Sequence, residues 1–164
     1  VWPPPGPIRL ADVGAGAGLP GVVLALALPE LHLTAIETNG RKASFLARAV
    51  EELGLSGRAE VVCWQVREVG EAAEYRAGFD LVTARAFAPA DRCIRHARHL
   101  LGPEGALVLY KTPGGVAREI SGARREAGRF GLAVKTSRTI RLPGEAGTRQ
   151  FLRVTRPRSE TAEG

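Results

Sequence analysis

Methionine is missing altogether from the 164 residues, and the first residue is Val1. A chain of that kind is not an intact translation product with its initiator, so an N-terminal segment is expected to be lacking. Cysteine is scarce, with Cys63 and Cys93 alone. Two cysteines make no disulfide framework, which excludes a stapled secreted module and fits a reducing cytoplasm. No run of about 18 apolar residues occurs, so no membrane-spanning helix is expected. No charged segment precedes a short apolar one at the start, so no secretory signal is expected. Lysine is rare too: Lys42, Lys111 and Lys135 stand against twenty arginines.

What is present suits one ordinary domain. The chain is 45% hydrophobic and 24% charged, enough to build a core. Residues 1–156 are expected to form that domain, followed by a polar, disordered tail over 157–164. The net charge is +6, with an isoelectric point near 10.1. Arginine contacts phosphate bidentately, so nucleic acid is one reading of this excess. Codon bias towards arginine is the other, and charge alone does not choose between them.

Apolar runs and helical patterns alternate along the chain. The opening VWPPPGP is too rich in proline for regular structure. Strands are expected at Ile8–Val13, Leu31–Glu37, Glu60–Trp64, Phe79–Ala84 and Ala106–Lys111. Helices are expected at Pro20–Leu28, Arg41–Leu53, Asp91–Leu101 and Val116–Phe130, with Val66–Gly78 mixed. Leu132–Leu142 and Gln150–Thr155 read as a closing strand pair. This alternation predicts a mostly parallel sheet with helices on both faces. Ligands bind such sheets at the carboxyl ends of the strands. That directs attention to residues 13–19, 37–39, 64–68, 84–88 and 111–115.

The first of these stretches is glycine-rich: Asp12-Val13-Gly14-Ala15-Gly16-Ala17-Gly18-Leu19-Pro20-Gly21. Glycines after a first strand let the backbone turn and approach a ligand. Two frames are possible. Gly16, Gly18 and Gly21 spell the dinucleotide fingerprint, with Glu37 near the expected acid, which keeps a nicotinamide-dependent oxidoreductase open. That frame starts late and contains Pro20. The earlier frame puts Asp12 two residues before Gly14-x-Gly16-x-Gly18, the pattern of S-adenosylmethionine-dependent methyltransferases. Their cofactor has an ammonium that an acid near the strand end can neutralise. It also has a ribose whose hydroxyls Glu37 can accept, at roughly 1.5–3 kcal/mol per charge-assisted bond.

The stretch DVGAGAGLPGVVLALALPELHLTAIETNGRKASFL, then FDLVTARAFAP, LVLYK and GTRQFLRV, resembles the bacterial 16S rRNA (guanine-N(7))-methyltransferases, also called glucose-inhibited division protein B. The resemblance runs from about Asp12 to Val154. It implies a Rossmann-like class I methyltransferase with a seven-stranded sheet, S-adenosylmethionine as cofactor, and 16S rRNA or the 30S subunit as partner. It implies a cofactor site at Asp12, Gly14, Gly16, Gly18, Leu19, Glu37, Val66, Arg67 and Arg85. Arg85, Lys111 and Arg149 are implied to position the substrate. Two departures stand out. The family has Arg, a small residue and Glu where this chain reads Gln65-Val66-Arg67, with Glu68 next. The family's helical N-terminal region is also absent ahead of Ala11. These departures leave room for a non-catalytic RNA-binding relative.

Ring nitrogen 7 of guanine carries a lone pair and no proton, so methylation there needs alignment rather than a general base. The segment TARAFAP suits this. Arg85 can meet a guanine edge or a phosphate, or pair with Asp80 or Asp91. Phe87 can stack on a base or pack in the core. Cys93, His96 and His99 fall three apart on an expected helix, but read as a solvated face rather than as metal ligands. Trp2 and Trp64 read as packing residues. No metal and a monomeric state are expected.

Overall fold

The computed structural model describes residues 6–144 and 146–157. In chain order the elements are β1 Ile8–Val13, α1 Gly21–Ala27, β2 Leu31–Ile36, α2 Gly40–Glu52, β3 Ala59–Val62, α3 Val66–Glu71, β4 Phe79–Arg85, α4 Ala90–Ala97, β5 Leu101–Lys111, α5 Pro113–Arg129, β6 Ala133–Thr136, β7 Ile140–Arg141 and β8 Thr148–Thr155. Seven strands lie side by side as β3-β2-β1-β4-β5-β8-β6, and the two-residue β7 pairs on β8. The five strands from β3 to β5 are parallel; β8 runs antiparallel between β5 and β6. The order reverses direction between β1 and β4, so a crevice opens where the loops leave their carboxyl ends. The expected sheet and its helices on both faces are present.

The strands are apolar along their length because both faces are covered. In β1, Leu10 joins the core under α1 and α2, with Val22, Ala25, Leu46 and Val50. Its neighbours Ala11 and Val13 join the other core, under α3, α4 and α5, with Val69, Ile94 and Ala123. Each fully buried leucine, Leu46 or Leu107 for example, contributes about 1.5–3 kcal/mol. Local signals set the helix ends. The Asn39 side chain accepts from Lys42 N at 3.1 Å to begin α2. Thr112 accepts from Gly115 N at 3.1 Å to begin α5, with Pro113 at its first position.

Four expectations are corrected. The helix expected over Asp91–Leu101 stops at Ala97, because Leu101 pairs with Phe79 and opens β5. Gly102 and Gly105 then lie in a strand irregularity, where a Cβ on Gly105 would sit 2.5 Å from the Phe79 carbonyl. The expected strand Leu132–Leu142 is split into β6 and β7, both pairing with one longer β8. Cys93 is not on a solvated face: it is 2% exposed, and its thiol donates to Ala88 O at 3.2 Å. Trp64, expected to pack, is 47% exposed, while Trp2 and the tail residues 158–164 lie outside the described residues. No helix among the described residues is long and apolar enough to cross a membrane.

Candidate functional site

At the carboxyl end of the sheet a cleft is lined by Val13, Gly14, Ile36, Glu37, Thr38, Lys42, Val66, Ala86 and Phe87. Its walls thus come from the loops after β1, β2, β3 and β4. Its volume is about 180 Å³. Ligand pockets commonly hold roughly 300–1,000 Å³, so a ligand here lies in an open cleft rather than an enclosed chamber. A second hollow of about 290 Å³ sits at the amino ends of the strands, beside Arg9, His32 and Arg58. The first cleft is at the sheet end where such folds bind ligands, so it is the candidate site.

The glycine loop is shaped by contacts that a side chain would block. Gly14 has φ +69°, and a Cβ there would lie 2.7 Å from the Phe87 ring. Gly16 has φ +57°, and its N–H donates to Glu37 Oε2 at 2.9 Å. Asn39 N donates to Glu37 Oε1 at 2.9 Å. Glu37 is 7% exposed and lines the cleft. A carboxylate has about four lone-pair positions. Each oxygen of Glu37 gives one to the backbone and keeps one for a ligand hydroxyl.

Asp12 lies beneath the loop. It is 1% exposed. Oδ2 accepts from Gly21 N at 2.9 Å, and Oδ1 accepts from the Thr83 hydroxyl at 2.8 Å. It ties the start of α1 to β1 and β4, beneath the loop. Burial pushes its carboxyl up to about 6, against the lowering effect of the two hydrogen bonds and of Arg85. Asp12 thus supports the loop from below. Gly21 has its own reason to be glycine: a Cβ there would be 2.8 Å from Asp12 Oδ2.

The residues after β3 divide. Val66 lines the cleft, whereas Arg67 is exposed and pairs with Glu71 at 2.9 Å. Glu68, one position on, accepts from Gln65 N at 2.8 Å and closes a capping box at the start of α3. The helix cap therefore claims the acid that a one-residue slip would recruit. The departure at Gln65-Val66-Arg67 stands.

Arg85 pairs with neither Asp80 nor Asp91. Its Nε donates to the Leu19 carbonyl at 3.3 Å, closing the glycine loop onto the end of β4. Asp80 accepts instead from Arg9 N at 2.9 Å. After Arg85 the chain turns through Ala86 at φ +54°, a conformation that L-residues seldom adopt. The turn lays Phe87 against Gly14. The Lys111 side chain is 13% exposed, 2.9 Å from Glu119 and 3.1 Å from the Ala88 carbonyl. Arg149 stands beside Ile140 on β8, its Nη1 donating to Thr148 O at 2.9 Å. Sequence reasoning missed Thr83 and Glu119, and it gave Asn39 and Ala86 no role of their own within the stretches 37–39 and 84–88. A polar residue inside the apolar run FDLVTARA was a signal for Thr83; nothing local marked Glu119.

With this geometry in place, comparison with known proteins is decisive. The model of a family described as rRNA small subunit methyltransferase G matches residues 5–136. The chain belongs to this family. Relatives named ribosomal RNA small subunit methyltransferase G include one from Nocardioides sp., 43% identical over 138 residues, covering 84% of this chain and 52% of the relative. Another, from Stenotrophomonas maltophilia, is 40% identical over 148 residues, covering 90% of this chain and 65% of the relative. The chain thus spans about half to two-thirds of the length of these relatives. Among solved structures, the precorrin-6y C5,15-methyltransferase of Geobacter metallireducens aligns with a TM-score of 0.67 at 14% identity, over 93% of this chain and 81% of that one. P. horikoshii TYW2, solved in complex with MeSAdo, aligns at 0.69 and 15% identity, over 92% of this chain and 58% of that one. Both likenesses concern the fold, which is that of the class I methyltransferases.

Proposed function

We propose that this chain is the S-adenosylmethionine-binding part of a cytoplasmic methyltransferase acting on ring nitrogen 7 of a guanine in 16S rRNA or the 30S subunit. The observation that carries the reading is Glu37: a buried carboxylate at the second strand's end, braced by Gly16 N–H and Asn39 N–H, with one acceptor site left on each oxygen. That arrangement suits the two hydroxyls of a ribose. It does not by itself distinguish nucleotides. The Asp12–Gly18 frame, the membership of the family and the absence of space beside Gly14 for anything but glycine favour the methyl donor over a dinucleotide.

The residues fit the cofactor. Glu37 would hold the ribose, Val66 would pack on the adenine, and the backbone of Gly14 to Gly18 would take the amino-acid end. When bound, S-adenosylmethionine supplies a methyl group on a sulfonium. The chain's own residues bind and align. Phe87, lying across Gly14, forms the wall between the donor cleft and the side from which a base arrives. Arg85, with one N–H on Leu19 O and the others free of recorded partners among the described residues, can meet a guanine edge or phosphate. Arg149 adds a cation at the same sheet end. Guanine nitrogen 7 has no proton to remove, so alignment at about 3–3.5 Å is what the protein has to supply.

Transfer of labelled methyl to 30S subunits and to free 16S rRNA tests this, with 7-methylguanosine read after digestion. Label in that nucleoside is the expected result. RNA binding without transfer would instead favour a non-catalytic relative. Calorimetry adds a second arm: tight NAD binding with no S-adenosylhomocysteine binding would replace the reading with an oxidoreductase.

A further inference from the structure

The loop after β4 is clasped on both sides of Pro89. On one side, Lys111 Nζ donates to Ala88 O at 3.1 Å. On the other, Ala90 N donates to Glu119 Oε2 at 2.7 Å. The two grips are one unit, because Lys111 Nζ and Glu119 Oε2 are 2.9 Å apart. Their side chains are only 13% and 26% exposed, so the pair is weakly screened. Glu119 comes from the second turn of α5 and Lys111 from the end of β5. A third grip, Cys93 Sγ on Ala88 O at 3.2 Å, comes from α4. The clasped segment carries Ala86, in its left-handed turn, and Phe87, which rests on Gly14. Both line the cleft.

We propose that Lys111 and Glu119 are a positioning pair for methyl transfer: together they hold the Ala86–Ala90 loop so that Phe87 fixes the angle at which the acceptor base meets the donor cleft. Lys111 acts here through the loop rather than by touching RNA, and Glu119 is its partner. The inference rests on the proposed methyltransferase reading. The donor side has braces of its own beside the Phe87 contact, since Glu37 and the glycine loop are held by Asn39, Asp12 and Arg85. Loss of the clasp should therefore weaken turnover while sparing cofactor affinity.

The test compares Glu119→Ala, Glu119→Gln, Lys111→Ala and the Lys111→Ala/Glu119→Ala double variant with the parent chain. Turnover and KM are measured on 30S subunits, and S-adenosylhomocysteine affinity by calorimetry. Glu119→Ala is expected to lower kcat about tenfold to a hundredfold, the cost of a small misplacement of reacting groups. Affinity for S-adenosylhomocysteine should stay within about threefold, because a group acting only at the transfer step moves kcat and not ground-state binding. Glu119→Gln keeps an acceptor for Ala90 N and should fall between, which guards against reading a misfolded alanine variant. The double variant should be no worse than the worse single, as for residues acting as one unit. If Lys111→Ala raises KM and flattens the salt dependence while Glu119→Ala leaves both unchanged, Lys111 is an RNA contact and the pair is overturned. A parent chain that never methylates defeats the functional reading instead. Amide exchange at Phe87 and Ala90 then still judges the clasp, and identical exchange in parent and Glu119→Ala overturns it.

Discussion

Helices α1 and α4 each begin directly after a proline, and neither has a side-chain cap from its own N-cap residue. In both, the first N–H is taken by a carboxylate from elsewhere in the chain. For α1 it is Asp12, from the strand beneath; for α4 it is Glu119, from the neighbouring helix. The partners differ. Among the described residues Asp12 has the Thr83 hydroxyl and that one N–H as hydrogen-bond partners, so burial dominates and its carboxyl rises to about 6. Glu119 has the Lys111 ammonium at 2.9 Å. The same capping problem is thus solved on the donor side by a buried carboxyl hydrogen-bonded to neutral groups, and at the loop after β4 by an ion pair. The donor side becomes sensitive to pH, and that loop sensitive to losing either partner.

The largest test of this contrast is Asp12→Asn. A carboxyl whose folded pKa is raised stabilises the fold below about pH 4, and that contribution is lost as pH rises through about 6. A shift from 3.8 to about 6 corresponds to about 3 kcal/mol. Asparagine can still accept from Gly21 N and donate to the Thr83 oxygen, so its unfolding free energy should lack this decline. Denaturant unfolding of both proteins at several pH values between 4 and 7 measures it; parallel curves would show that Asp12 does not titrate there.

Glu37→Ala comes next. It removes the acceptor of two backbone N–H groups and of the proposed ribose hydroxyls. S-adenosylhomocysteine should bind about tenfold more weakly or worse, given hydrogen-bond contributions of about 1.5–3 kcal/mol to charged groups. An unchanged dissociation constant by calorimetry would remove the ribose role. Arg85→Ala should separate the two sides. Methyl transfer to 30S subunits is expected to fall at least about fivefold further than cofactor affinity, since one of several donors serves the glycine loop and the others are proposed to meet the acceptor. Equal losses would assign Arg85 to the donor side alone. The smallest effect belongs to Arg67→Ala. Its guanidinium is exposed and turned to Glu71, so cofactor affinity should change by less than about twofold. A larger loss would bring Arg67 back into the cleft.

Much of the fold was legible in the residues. Buried parallel strands read as continuous apolar runs, so β1, β2 and β4 stood out to within a residue. Helical spacing of Phe45, Leu46, Ala49, Val50 and Leu53 did the same for α2, whereas α5 begins three residues before the expected Val116, at Pro113, behind the Thr112 cap. The carboxyl end of α4 was less legible, because pairing of Leu101 with Phe79 overrode the helical continuation. In the candidate site, Glu37 and Gly14 were readable because one loop and one strand end encode them. The direction of the Arg67 side chain was not readable for the opposite reason: whether a helical residue faces a cleft or solvent depends on the helix's rotation, and α3 begins at the Gln65–Glu68 capping box.

By itself, the sequence determined the parallel sheet, the glycine loop and the acid at the end of the next strand, because periodicity and glycine conformation act over a few residues. Only the tertiary structure decided what the charged side chains do. It turned Asp12 from a ligand-facing acid into a buried brace and Lys111 from a free cation into half of a pair. It brought Glu119 to Ala90 across 29 residues. A charge's role depends on which groups the fold places within hydrogen-bond reach and how much water it leaves around them. Neither quantity is written in the local order of residues.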